Sequence, residues 1–141
     1  MAKNSTRIIA VANEKGGVGK TVTVINLGAA FSLMGKNVLV VDMDPQANAT
    51  KGLGIAPNAE QLNTYDLIMQ PDETRAEDAV LETPWKGLQV IPSHVDLTGA
   101  EVELVDEDGR ENRLKEALEP IEADYDVILL DTPPSLSLLT V

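Results

Sequence analysis

Residues Arg7 to Met34 read RIIAVANEKGGVGKTVTVINLGAAFSLM, and this stretch decides the fold. Arg7 to Ala12 is rich in β-branched residues and reads as a strand. Thr21 to Met34 is apolar on most sides, as a helix buried against a sheet would be. Gly35 stands where the cap of that helix should fall, and Lys36 complements its dipole. Between strand and helix lies Lys15-Gly16-Gly17-Val18-Gly19-Lys20-Thr21. Glycines let the backbone turn so that several N–H groups face one anion, and the positive end of the next helix adds to their pull. In such a loop Lys20 reaches the β- and γ-phosphates and the Thr21 hydroxyl coordinates Mg²⁺. A chance match to this pattern in a chain of this length is on the order of 10⁻⁵.

Working outward, the pattern of apolar strand, turn and helix recurs, and it predicts parallel βαβ units covered on both faces. Asn37 to Val41 reads as the second strand and runs into Asp42-Met43-Asp44-Pro45. Gln46 to Ala59 reads as a loop with little fixed structure. Asn63 or Thr64 caps a short helix through Met69, residues 73–82 read as another, and Gly87 to Ile91 as a third strand. A helix is expected from Asp96 to about Val105, and a further one from Arg110 to about Ala123, with Leu114, Leu118 and Ile121 on one face. Asp126 to Leu130 is the fourth strand, and it delivers Asp131 to its carboxyl end. The expected fold is α/β, a P-loop NTPase with a mostly parallel sheet flanked by helices.

Composition narrows the function classes. The 141 residues carry 11 Lys and Arg against 23 Asp and Glu, a net charge of −12, with one His and no Cys. The absence of cysteine excludes disulfides, thiolate zinc sites and a Cys nucleophile. Residues 72–141 hold 18 of the acidic side chains and 5 of the basic ones. So acidic a surface is a poor match for a phosphate backbone, because DNA affinity comes mainly from Lys and Arg displacing counterions. Neither a signal-peptide core nor a membrane-length apolar run is found, which points to a cytoplasmic protein. His94 lies in a Pro-Ser-His turn with no metal-binding companion, and Trp85 and Tyr125 read as packing residues.

Three carboxylates carry the remaining chemistry. Asp42 and Asp44 sit two apart at the carboxyl end of a buried strand, where open α/β sheets bind ligands. Asp131 ends Val127-Ile128-Leu129-Leu130, the pattern of a Walker-B strand, where it would hold a Mg²⁺-bound water or orient the Thr21 hydroxyl.

The loop departs from the plain GxxxxGK[ST] form, with Glu14 at the first glycine's position and an added Lys15. That variant, with Asn26-Leu27, the Val41 to Thr50 string VDMDPQANAT, Val90-Ile91-Pro92-Ser93, Asp96-Leu97, Gly99-Ala100-Glu101, Glu103-Leu104 and Tyr125-Asp126 to Asp131-Thr132-Pro133-Pro134-Ser135, closely resembles the ParA/Soj partition ATPases of the ParA/MinD superfamily. The resemblance implies ATP and Mg²⁺ as cofactors and catalytic roles for Lys15, Lys20 and Asp44. Lys15 would be the signature lysine that reaches a partner's phosphates, and Asp44 would orient the attacking water. Lys15, Gly16, Gly17, Val18, Gly19, Lys20, Thr21 and Val22 would bind the nucleotide. Val22 stands where the family often has a second hydroxyl, so only its backbone N–H is offered. Thr21, Asp42 and Asp131 would serve the metal, with Gln46 and Asn48 in the first switch region and Thr132-Pro133-Pro134 in the second.

Family members are nearly twice this long, so residues 1–141 are expected to be the N-terminal part of a single ATPase domain, cut after the Walker-B strand. The implied whole is a switch: an ATP-dependent homodimer, stimulated by a ParB-type partner, that binds non-specific DNA through the missing half. It would act in the cytoplasm on the nucleoid, not on a membrane. A MinD-like membrane-cycling ATPase and a non-catalytic module regulating a full-length ATPase are the alternatives.

Overall fold

The computed structural model describes residues 6–11, 18–43, 47–56, 60–70, 72–93 and 113–131. Five strands form one sheet: β1 (Arg7–Val11), β2 (Val38–Asp42), β3 (Leu81–Glu82), β4 (Leu88–Ile91) and β5 (Val127–Asp131). Their order across the sheet is β1-β5-β2-β4-β3, and every pairing is parallel except β3 with β4. The helices are α1 (Val18–Leu33), α2 (Asn48–Gly52), α3 (Thr64–Met69), α4 (Ala76–Ala79) and α5 (Arg113–Glu122). The expected mostly parallel α/β architecture is therefore present.

Pleating sorts the strand residues onto two cores. Val38 and Val40 of β2 join Val127 and Leu129 of β5 and Leu88 and Val90 of β4 under α1 and α2. Leu39, Val41, Ile91 and Ile128 face the other way, against α3, α4 and α5 through Leu67, Ile68, Ala76, Leu114, Leu118 and Ile121. All five residues of β2 are buried, which is why its run is apolar without alternation. Gly28 lets α1 lie close to the sheet, since a Cβ there would come within 3.1 Å of a Leu88 methyl. Gly35, at φ +82°, ends the same helix: its N–H donates to the Ser32 carbonyl and that of Lys36 to the Phe31 carbonyl, a Schellman closure.

Three expectations need correction. Gln46 to Ala59 is not all loop, because Asn48–Gly52 is helical and Leu53 is fully buried. The helix expected over 73–82 is only the single turn Ala76–Ala79, after which Leu81–Glu82 pairs antiparallel with β4. α1 begins at Val18, inside the glycine-rich stretch and three residues before the expected Thr21, while Ala12 of the expected first strand lies outside the described residues. The helix expected over 96–105 lies outside the described residues. Asn63, not Thr64, caps α3: its side chain accepts from the Asp66 N–H, and Asp66 accepts in return from the Asn63 N–H.

Trp85 packs under the α1 side of the sheet and Tyr125 in the opposite core, so both are packing residues, as expected. The Tyr125 hydroxyl donates to Gln89 Oε1 at 2.6 Å. Burial pushes its phenol up to about 12, with the charges of Asp124 and Glu82 adding to the shift.

Candidate active site

The site is set by the ends of three adjacent parallel strands. Val11 of β1 is in register with Asp131 of β5, and Asp131 with Asp42 of β2. Neighbouring strands lie about 4.8 Å apart, and residues in register share a face. Asp42 continues the row of Val38 and Val40, and Asp131 that of Val127 and Leu129, so both carboxylates belong to the face that α1 covers. The chain leaves the end of β1 and returns as α1 from Val18, so the helix starts at the same edge of the sheet. Asp42 and Asp131 are both completely buried.

Asp42 also does something that its spacing does not reveal. Its Oδ2 accepts from the backbone N–H of Thr50 at 2.8 Å and from the Thr50 hydroxyl at 2.6 Å. Thr50 stands at the third position of α2, and the residue at the helix N-cap, Ala47, offers no side-chain acceptor. Asp42 thus caps α2 from the end of β2, satisfying an N–H that the helix cannot satisfy itself. Ala47 adopts a left-handed conformation, φ 56°, and is buried at 4% exposure. That conformation strains a residue with a Cβ, and packing around α2 holds it there.

The network reaches β4. The backbone N–H of Ser93 donates to the Thr50 hydroxyl at 3.2 Å, while Thr64, at the start of α3, accounts for the main-chain oxygens nearby. Its N–H donates to the Pro92 carbonyl and its hydroxyl to the Asp42 carbonyl at 2.9 Å. Ser93 is 3% exposed and its own hydroxyl has no hydrogen-bond partner. Thr50 and Ser93 fall within strings that carry the family resemblance and Thr64 was a candidate helix cap, but the sequence gives none of the three a role beside Asp42. The one available signal was a Thr eight residues beyond a strand-end Asp, across a proline turn.

Of the expected site residues, the structure brings together Asp42 and Asp131. Val18, Gly19, Lys20, Thr21 and Val22 are placed by their backbone in the first turns of α1. Lys15, Gly16, Gly17, Asp44 and Gln46 lie outside the described residues, as do His94 and Thr132 to Ser135. Asn48 opens α2. Among the described residues there is no cluster of three or more His, Cys, Asp or Glu suited to a metal, and no helix long and apolar enough to cross a membrane.

A mostly parallel sheet flanked by helices, with two buried carboxylates at neighbouring strand ends, has the fold of the P-loop NTPase class. Residues 6–141 match the family model described as an AAA domain, and the chain belongs to that family, of ParA/Soj type. It is 50% identical over 135 residues to the sporulation initiation inhibitor protein Soj of Bacillus subtilis, covering 96% of this chain and 53% of Soj. It is 47% identical over 143 residues to the chromosome partitioning protein ParA of Caulobacter vibrioides, covering 100% of this chain and 53% of that protein. Among solved structures, cobyrinic acid a,c-diamide synthase from Mycobacterium smegmatis, with a bound ATP analogue and magnesium, superposes with a TM-score of 0.88 at 41% identity. That match covers 96% of this chain and 54% of the synthase. The chain spans about half the length of the curated relatives it matches.

Proposed function

We propose that residues 1–141 are the phosphate-handling part of a single Mg-ATP-dependent ATPase domain that drives DNA partitioning. The observation that carries this reading is the shared edge: the start of α1 and the ends of β2 and β5, with Asp42 and Asp131 in register. It is supported by what the relatives have in common. A protein named for chromosome partitioning, one named for sporulation inhibition and one named for a synthase match this same stretch, and the synthase was solved with an ATP analogue and magnesium.

The donor set suits a hard divalent cation. Two fully buried carboxylates on neighbouring register positions repel each other, and a cation among oxygen ligands offsets that repulsion. Asp131, Asp42 through the oxygen that does not face Thr50, and the Thr21 hydroxyl would hold Mg²⁺. The chemistry supplied by the bound metal is neutralisation of charge on the β- and γ-phosphates.

The chain's own residues do the rest. Backbone N–H groups of Gly16 to Val22 cradle the phosphates, and Lys20 pairs with their charge. Asp44 accepts a hydrogen bond from the attacking water and aligns it. A bond forms from water oxygen to the γ-phosphorus as the bond to the bridging oxygen breaks, releasing ADP and phosphate. Lys15 acts across an ATP-dependent homodimer, stabilising charge in the partner's site as an arginine finger does. In the whole protein a ParB-type partner accelerates this step, and non-specific DNA binding belongs to the part beyond these residues.

Equilibrium binding of Mg-ATP, with Lys20→Ala as control, tests the reading. Binding that falls at least tenfold in Lys20→Ala supports it, and binding indifferent to Lys20 overturns it. Asp44→Ala is expected to keep ATP affinity within about threefold while turnover falls about 10²-fold or more.

A further inference from the structure

We propose that Thr50 is a positioning residue for the metal site, orienting the Asp42 carboxylate through a hydrogen-bond chain that begins at Ser93, two residues past β4. The inference rests on the Mg-ATP reading above and deepens it. The Thr50 hydroxyl has one proton, and the geometry fixes where it points. Ser93 N–H donates to that oxygen at 3.2 Å, and a backbone N–H cannot accept, so the hydroxyl proton goes to Asp42 Oδ2 at 2.6 Å. The Thr50 N–H brings a second donor to the same carboxylate oxygen at 2.8 Å. Two donors converging on Oδ2 hold this side chain at one rotation and keep that oxygen an acceptor. The second oxygen is then presented in a single direction.

The chain is dry and braced at every link. Thr50 and Asp42 are fully buried and Ser93 is 3% exposed, so water does not compete for these donors. Thr50 cannot swing away, because α2 is pinned by Ala49 and Leu53 in the core beneath α1. The left-handed Ala47 marks how tightly the chain must turn to bring Thr50 back to Asp42. The arrangement matches the outer-shell partners of metal ligands in general, whose loss costs about 10–100-fold in metal affinity.

The test compares Thr50→Val, which keeps shape and the backbone N–H but removes the hydroxyl, with Thr50→Ser, which restores it. ATP binding is measured with and without Mg²⁺, and amide hydrogen exchange of α2 is followed without nucleotide. Thr50→Val is expected to raise the Mg²⁺ concentration needed for half-maximal ATP binding by about tenfold. Its metal-free ATP affinity should be unchanged, and Thr50→Ser should fall within about twofold of the parent. An unchanged Mg²⁺ requirement in Thr50→Val overturns the proposal, as does an equal loss of metal-free binding, which marks a merely structural role. Should Thr50→Val not fold, Thr50→Ala puts the same question. If the parent itself binds ATP without regard to Mg²⁺, the reading of the site fails and exchange alone decides. Faster exchange at Thr50 and Leu53 in Thr50→Val, restored in Thr50→Ser, then sustains the positioning of Asp42, and equal exchange overturns it.

Discussion

Tyr125 shows how one side chain ties pH to stability. Its hydroxyl is committed to Gln89 and its phenol is pushed up to about 12, first by burial and then by Asp124 and Glu82. An unfolded tyrosine titrates near 10, so the folded chain holds this proton more tightly. The contribution is fully present below pH of about 10 and is lost as pH rises toward 12, the direction required of a raised folded-state pKa. Tyr125→Phe is therefore expected to lower stability by about 1 kcal/mol at neutral pH, through the missing hydrogen bond. The gap between parent and variant should shrink between pH 10 and about 12, measured by urea unfolding at each pH. A gap that stays constant over that range would show that burial of the phenol does not govern its titration.

At the scale of elements, what the sequence made legible depended on whether each signal was local. β2, β4 and β5 announced themselves because strands buried on both faces are nearly continuous apolar runs, whereas β1, at the edge of the described sheet with Ile8 exposed, was legible from its β-branched residues. α3 was readable from Asn63 because its capping box is written within four consecutive residues, Asn63 to Asp66. Asn63→Ala should cost about 1 kcal/mol, read from the denaturation midpoint, with the sheet intact. No change in midpoint would mean that packing of Leu67 and Ile68 alone holds α3. α2 was illegible for the opposite reason. Its cap, Asp42, sits at the end of a strand, and its own N-cap position holds alanine. The short helix α4 gives way to β3 because Leu81 and Glu82 find partners in Val90 and Gln89, a tertiary pairing that no local propensity records. The same division applies to the site. Asp42 and Asp131 were visible as strand-end carboxylates, whereas the donors around Asp42, the Thr50 and Thr64 hydroxyls and the Ser93 N–H behind Thr50, come from α2, α3 and the turn after β4 and meet only in the folded chain.

The whole molecule is a sheet with a working face and a supporting face. α1 and α2 lie on the side of Asp42 and Asp131, and α3, α4 and α5 lie on the other. The central strands β2, β4 and β5 contribute to both sides, which couples the two faces. The aromatic side chains divide along the same line. Trp85, the only tryptophan, and Phe31 pack on the working face, while Tyr65 and Tyr125, the only tyrosines, pack on the supporting one. The chain thus carries two spectroscopically separate reporters, indole emission for one layer and tyrosine absorbance for the other, with no label to introduce. Unfolding followed at the two chromophores should trace one superimposable curve. Curves that separate would reveal that the layers come apart in sequence. With that established, a change in indole emission on adding nucleotide, without a matching tyrosine signal, would locate the response on the face that holds the carboxylates.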